Sequence, residues 1–558
     1  MSLSIDSMSL NDIRDRRNDA REKSHIVLLI FVLFAIATAY NIYKPYHIDD
    51  AEYLEMAQWV SINPLKPMSG LVNWGLSPEP IYKLHQPPLY FYLLGTHMRI
   101  FGENEVSTHL FQSVFTFLAI LFFFKLAKLH SSKHAGLLTM FFVFCPAFIV
   151  EQNLMIDIPL VSLWIIFYYI LSLKNVKSKF IVYLTASLIA SIAILTKYTS
   201  LTLIPALIIG IILRRDYKYL YMVVVPLLII MFWSMFNYVE YGSIHILDRP
   251  IREITFWNII VYLLSWIVCL GGIATFTVPF ISGLKKDNKI SNRMINKILG
   301  IALLSVAFVM VLFYSDLLTE FYADFFLRIL FFACGSIMVG AMVNITIREL
   351  SMAELSQRYQ DHLLLVWFYS GMFFIILFSP LIAPRHVLPI IPAMIILLGK
   401  HYLPKAKKQY KIAGVVISIS LSLMLGISDW SFANFYKQQA RSITEDYGGE
   451  ANLWFSGHWG WQWYARLNGM KQIDSEDISF MKEGDYIIYP DDIVQQALDN
   501  RVSVEIIEKR EEKRKIYDYF STHGGARFYW ANAWKIPWNL SKKSLGPIII
   551  FKIKEIKE

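Results

Sequence analysis

Six polar groups carry most of the chemistry that this sequence offers. Asp49 and Asp50 stand in HisIleAspAspAlaGluTyr at 47–53. A carboxylate there can act as a general base on an acceptor hydroxyl or amine. It can also ligate a divalent cation such as magnesium, or cap the helix that begins near Ala51. Asp157, in GluGlnAsnLeuMetIleAspIlePro, is a second acid or a helix cap before Pro159. Lys197 is the lone basic residue of LeuThrLysTyrThrSer. Its natural partner is a phosphate; otherwise it is a lysine snorkelling to an interface. Arg385 and His386 stand in AlaProArgHisValLeuProIleIlePro. An arginine suits bidentate phosphate binding, and either residue can anchor at a membrane surface.

A second set surrounds these. His85-Gln86-Pro87-Pro88 forms a rigid turn that can aim His85 and Lys83 toward the same cavity, with Tyr82 just before it. His245 follows Tyr238, Glu240 and Tyr241. His245 and His85 together are the candidate zinc ligands, since imidazole is a common one, although their spacing fits no metal signature. No cofactor is required by the pattern, and a divalent metal, zinc or magnesium, is the one candidate. GlyHisTrpGlyTrpGlnTrpTyr at 457–464 packs four aromatics around His458, as core, as a lid or as a sugar-stacking face. Cys145, Cys269 and Cys334 lie in apolar runs and form no CxxC or disulfide framework, so they read as packing residues.

The elements that must position these groups are membrane helices. Of 558 residues, 55% are hydrophobic and 17% charged, with mean hydropathy +0.43. Soluble domains carry about 25% charged residues, so an ordinary soluble enzyme is excluded, and so is disorder. The net charge of +9 is then a membrane signal rather than a nucleic-acid surface; no nucleic-acid partner is expected. The polar first 24 residues lack a signal-peptide pattern. A span needs about 20 apolar residues. Thirteen candidates lie near 26–43, 107–124, 135–150, 158–173, 180–195, 199–213, 219–237, 257–284, 298–314, 327–347, 362–379, 387–399 and 412–428.

Charge tests that count. With the N-terminus cytoplasmic, the cytoplasmic segments hold 26 Lys/Arg and 10 Asp/Glu, leaving a net negative outer side. The short outer loops hold only Lys197, Arg249, Arg252 and Arg385. This is the positive-inside asymmetry. The expected organisation is a cytoplasmic segment 1–25, a transmembrane domain 26–428 with an outer loop 44–106, and an extracytoplasmic domain 429–558. Within the outer loop, 51–60 reads as a helix and 89–101 as an interfacial helix. The tail is long enough for a small α/β domain, with strand-like runs at 485–489 and 547–553 and a helix at 492–499. The candidate groups cluster on the outer face.

The ordered set of motifs resembles the GT-C superfamily of membrane glycosyltransferases. Its nearest likeness is the protein-mannosyltransferase-like branch (glycosyltransferase family 39), which includes the aminoarabinose transferases of lipid A. The matching pieces are the acidic pair followed by Tyr53 and Ala57, ProProLeuTyr at 87–90, Asp157, ThrLys at 196–197, ArgHisValLeuProIleIlePro at 385–392, and HisTrpGly with a following aromatic-Tyr at 458–464. They span about 45–465 in the expected order. The resemblance implies thirteen helices with a periplasmic C-terminal domain, and a sugar donor carried on polyprenyl phosphate. It implies Asp49 as the acceptor-activating acid, with Asp50 beside it, and Asp157 as the second carboxylate. Lys197, Arg385 and Lys83 fall to the donor phosphate. Tyr53, Tyr82, His85, Gln86, His386 and His458 fall to substrate. Two departures stand out. The branch carries Glu-Lys before Pro-Pro where this chain has His85-Gln86, so either Lys83 replaces that lysine or the acceptor differs. The branch's acid-Glu pair is here Asp49-Asp50.

The implied reaction is inverting transfer to a lipid A, glycan or protein acceptor at the outer face of the inner membrane. Bilayer lipids are the other partners. A flippase for lipid-linked sugar is the main alternative, but it predicts pseudo-symmetric halves and mid-membrane ionisable groups. A polysaccharide ligase or polymerase is a further alternative. A membrane scaffold would have no use for Asp, Lys and Arg converging on one side.

Overall fold

A computed structural model describes residues 10–84, 86–250, 252–284, 292–351, 358–449, 451–529 and 535–557. Among them, nine helices are long and apolar enough to cross a membrane. They are Glu22–Asn41, Glu105–His130, Lys179–Thr196, Tyr217–Tyr241, Phe256–Ile273, Glu320–Leu350, Tyr359–Phe378, Pro384–Lys405 and Lys408–Tyr447. Asp157–Ser172, Tyr198–Leu213 and Gly300–Tyr314 are shorter apolar helices. The chain is thus a polytopic helical membrane protein.

Two expected spans are broken. The segment 135–150 becomes Ala135–Val143 and Pro146–Ile149. Pro146 has no N–H to donate, and its ring blocks continuation of the preceding turn. The segment 257–284 becomes Phe256–Ile273 and Thr277–Leu284. The last helix does not stop at 428 but runs on to Tyr447.

Close helix crossings depend on small residues. A Cβ on Gly271 would lie 1.8 Å from Phe331 O, and one on Gly335 would lie 2.0 Å from Ile267 O. The helices Phe256–Ile273 and Glu320–Leu350 therefore meet backbone to backbone.

The helix Asp50–Ile62 packs on Leu89–Phe101. The C-terminal part holds a mixed five-stranded sheet. Its order is Lys471–Gln472, Leu453–Phe455, Tyr486–Pro490, Leu545–Ile556, Val502–Glu512. The first three strands run parallel; the last two pairings are antiparallel. One hydrophobic core joins Tyr53, Met56 and Leu94 of the outer loop to Phe435 and Tyr436 of the long helix and to Trp461, Ile488 and Ile548 of the sheet domain. The outer loop is therefore clamped between the helical bundle and the C-terminal domain.

The expected helix at 492–499 is absent. His458 N–H donates to Val494 O at 3.0 Å, and Gln496 Oε1 accepts Gly457 N–H at 2.7 Å. Tertiary partners hold this stretch extended and override its helical propensity.

Candidate active site

Asp49, Asp157, Lys197, Arg385 and His386 meet around one cavity of about 480 Å³. Each is delivered by a break in helical structure. Asp157 opens the helix Asp157–Ser172. Lys197 sits in the extended link between Lys179–Thr196 and the turn Tyr198–Thr202. Arg385 and His386 lie in a one-turn helix, Pro384–Val387. Asp49 precedes Asp50–Ile62 but makes no side-chain cap.

Instead the acids and bases pair. Lys197 Nζ donates to Asp157 Oδ1 at 2.8 Å, with Asp157 1% exposed. Arg385 Nη1 donates to Asp49 Oδ2 at 2.6 Å. His386 Nδ1 lies 3.0 Å from Leu381 O. A carbonyl only accepts, so Nδ1 carries the proton and Nε2 keeps its lone pair in the neutral ring. Leu160, Leu201, Phe374, Ile375, Phe378 and Pro389 supply an apolar wall.

Asp49 owes its position to a strained turn. Ile48 has φ +47°, a left-handed conformation that β-branched residues rarely adopt. Asp50 secures it. Its Oδ2 accepts His47 N–H and its Oδ1 accepts Leu154 N–H, both at 2.8 Å. Burial raises the Asp50 carboxyl to about 7. The expected catalytic part for Asp50 therefore gives way to a structural one: both oxygens are spent on backbone N–H groups, and it does not line the cavity.

The remaining expected residues divide. Tyr53 and Gln86 line the cavity. Gln86 Oε1 accepts Tyr198 N–H at 3.3 Å. Lys83 is exposed on Ile81–Leu84 and does not line it. Tyr82 donates to Asp248 Oδ2 at 2.9 Å, also outside the lining. His458 is buried one layer back: its ring lies 5.3 Å from Trp74, which does line the cavity. His245 is buried, with Nδ1 2.8 Å from the Tyr198 hydroxyl. His85, its expected zinc partner, lies outside the described residues. Among the described residues, the His/Asp group close enough to share an ion is a different one: His47, Asp429 and His523.

Sequence reasoning missed Glu52, Trp74 and Arg249, all of which line the cavity. Glu52 is one helical turn beyond Asp49, the spacing that puts two side chains on one face. Burial, then the charge of Asp49, pushes the Glu52 carboxyl well above the usual carboxylate range. Arg249 had its signal in being one of four basic residues in the short outer loops.

Residues 85–243 match the family described as dolichyl-phosphate-mannose-protein mannosyltransferase. The GT-C resemblance drawn from the motifs is borne out over that stretch, which carries Asp157 and Lys197. No curated protein sequence matches the chain. Among solved structures, ArnT from Cupriavidus metallidurans bound to undecaprenyl phosphate is 12% identical, with TM-score 0.41, over 84% of this chain and 93% of that one. The archaeal oligosaccharyltransferase AglB from Archaeoglobus fulgidus, in complex with an inhibitory peptide and a dolichol-phosphate, is 11% identical, with TM-score 0.45, over 83% and 69%. At these identities and scores both likenesses are remote.

Proposed function

We propose that the cavity transfers a sugar from a polyprenyl-phosphate carrier to an acceptor at the outer face of a cell membrane. The observation that supports this best is the pairing of two cations with an apolar wall in one cavity. Lys197 and Arg385 suit a phosphate, and the wall formed by Leu160, Leu201, Phe374 and Phe378 suits an isoprenoid chain.

In this reading the acceptor attacks the anomeric carbon from the side opposite the phosphate. The C–O bond to phosphate breaks, and the lipid phosphate leaves with one more negative charge. Lys197 and Arg385 stabilise that developing charge. Asp49 orients the acceptor and takes its proton. Asp157 holds Lys197 in place and acts as a positioning residue. The orientation proposed is N-terminus cytoplasmic, with the cavity and the C-terminal domain extracytoplasmic.

The test is a transfer assay in detergent with a labelled polyprenyl-phospho-sugar. Asp49→Asn and Lys197→Met should each lose at least about 100-fold in turnover, the scale of removing a positioned general base or one charge-stabilising group. Full transfer by both variants would overturn the assignment.

A further inference from the structure

Behind the turn that carries Asp49, three segments remote in sequence converge. They contribute His47, Asp429 of the helix Lys408–Tyr447, and His523 of the C-terminal domain. His47 Nε2 lies 3.0 Å from His523 Nε2. Asp429 Oδ1 lies 3.1 Å from His523 Nε2 and 3.3 Å from His47 Nε2. The three residues are 2%, 0% and 5% exposed for His47, Asp429 and His523.

One proton on a single Nε2 can be shared with the other ring and the carboxylate, but the second Nε2 then lies at hydrogen-bond distance from Asp429 Oδ1 with no proton between them. Asp429 is an ionised acceptor: Oδ2 accepts Lys44 Nζ at 2.5 Å and the Tyr529 hydroxyl at 2.6 Å, and Oδ1 accepts Thr522 Oγ1 at 2.7 Å. If one imidazole Nε2 carries a proton, the other turns a lone pair onto the carboxylate oxygen. If both carry protons, two N–H groups face each other. If neither does, three lone pairs collide. Two imidazole nitrogens and a carboxylate oxygen within 3.3 Å of one another form a donor set that a cation can use. Zinc binds imidazole nitrogen at about 2.0–2.1 Å and carboxylate oxygen at about 2.0–2.2 Å, which sets tetrahedral ligand atoms roughly 3.3 Å apart. The observed edges, 3.0, 3.1 and 3.3 Å, come within about 0.3 Å of that spacing.

We infer that His47, His523 and Asp429 form a zinc site that latches the C-terminal domain onto the turn bearing Asp49. The surroundings support it. Asp429 divides its oxygens, with Lys44 and Tyr529 on Oδ2 and Thr522 and the two imidazoles at Oδ1. Lys44 is also held by Asn153 Oδ1 at 2.7 Å, and its ammonium meets Oδ2 rather than Oδ1. Phe432 stacks on His523 at 3.8 Å between ring centres and fixes its plane. The consequence reaches the cavity through the chain itself. His47 N–H donates to Asp50, and the strained Ile48 separates His47 from Asp49.

The inference does not depend on the transfer reaction, and its test reads the metal directly. The full chain, purified in detergent with a histidine-free tag and without chelator, should contain one zinc per chain. After removal by chelator, added zinc should rebind with that stoichiometry and raise the melting temperature. Cobalt(II) in its place should give the visible absorption of a four-coordinate centre. His47→Ala and His523→Ala should abolish stoichiometric binding. Thr522→Ala, which removes only a hydrogen bond to the ligand oxygen, should weaken zinc affinity roughly 10-fold. It keeps the test decisive if the alanine variants fail to fold. Wild-type protein that takes up no zinc even when it is supplied would overturn the inference. So would His523→Ala protein with undiminished zinc, or unchanged affinity in Thr522→Ala.

Discussion

Replacing Lys197 by methionine separates its chemical part from its structural one. Lys197 is 16% exposed at its side chain and pairs at 2.8 Å with Asp157, which is 2% exposed there. Methionine keeps the length and apolar stem but strands the carboxylate. Breaking a buried pair by removing one partner costs about 3–5 kcal/mol. The lower end applies here, because the Arg385 charge lies close enough to act on the Asp157 carboxylate. Lys197→Met should therefore destabilise the protein by about 3 kcal/mol. Adding Asp157→Asn removes the stranded charge, and stability should return to within about 1 kcal/mol of wild type. Activity should not return with it. A cation that meets the leaving phosphate contributes about 2.7–4 kcal/mol to the transition state, or 100- to 1,000-fold in turnover. The assays are thermal unfolding in detergent and release of polyprenyl phosphate from a labelled donor. A double variant that regained both stability and turnover would show that Lys197 serves only to neutralise Asp157, and the phosphate assignment would be refuted.

Three further outcomes follow from single features. Glu52→Gln should alter the pH dependence of stability. Its carboxyl is raised in the folded protein, above an unfolded value of about 4.3, so the folded state binds the extra proton. Stability is then full below the unfolded value and is lost as pH rises toward the folded one. The gap in melting temperature between Glu52→Gln and wild type should widen in the variant's favour from about pH 4.5 upward; a pH-independent gap would contradict the assignment. Asp50→Ala should cost about 2 kcal/mol or more, since it leaves two buried backbone N–H groups without partners; unchanged chemical denaturation would refute the stapling role. A Cβ on Gly460 would lie 1.9 Å from Tyr46 O, so Gly460→Ala should destabilise by about 1–3 kcal/mol and lower transfer together with it. Normal melting and transfer by that variant would show that the C-terminal domain does not press on the Tyr46–Asp49 segment.

Much of the frame was legible because apolar length is a one-dimensional signal. Every expected span falls on helix, and the breaks near Pro146 and Ala274 were what the hydropathy runs hid. Asp49, Asp157, Lys197 and Arg385 stood out as ionisable groups at the ends of apolar runs, where such groups are costly. Other features lay beyond the sequence for physical reasons. Asp50 looks like Asp49 until its two backbone partners are seen, one of them Leu154, more than a hundred residues away. His47, Asp429 and His523 carry no spacing signature, because three separate segments deliver them. The strand Val502–Glu512 was missed because its Glu/Lys-rich sequence reads as a solvated loop. It forms an edge of the sheet, where charge guards against pairing with another chain.

The pairing of each cation with a carboxylate bears on how such a cavity can turn over. A lysine and an arginine left without counter-charge in a part-buried site would each cost several kcal/mol of desolvation. Asp157 and Asp49 remove that cost in the resting protein. In the proposed reaction a phosphodiester donor would bring one negative charge and compete with those carboxylates, so the cations would hold it only moderately. As the sugar–phosphate bond breaks, the phosphate gains a second charge and competes better at the moment of reaction. The carboxylates thus weaken binding of the donor more than they weaken stabilisation of the leaving phosphate. That difference, rather than tight binding of the substrate, is what accelerates a reaction.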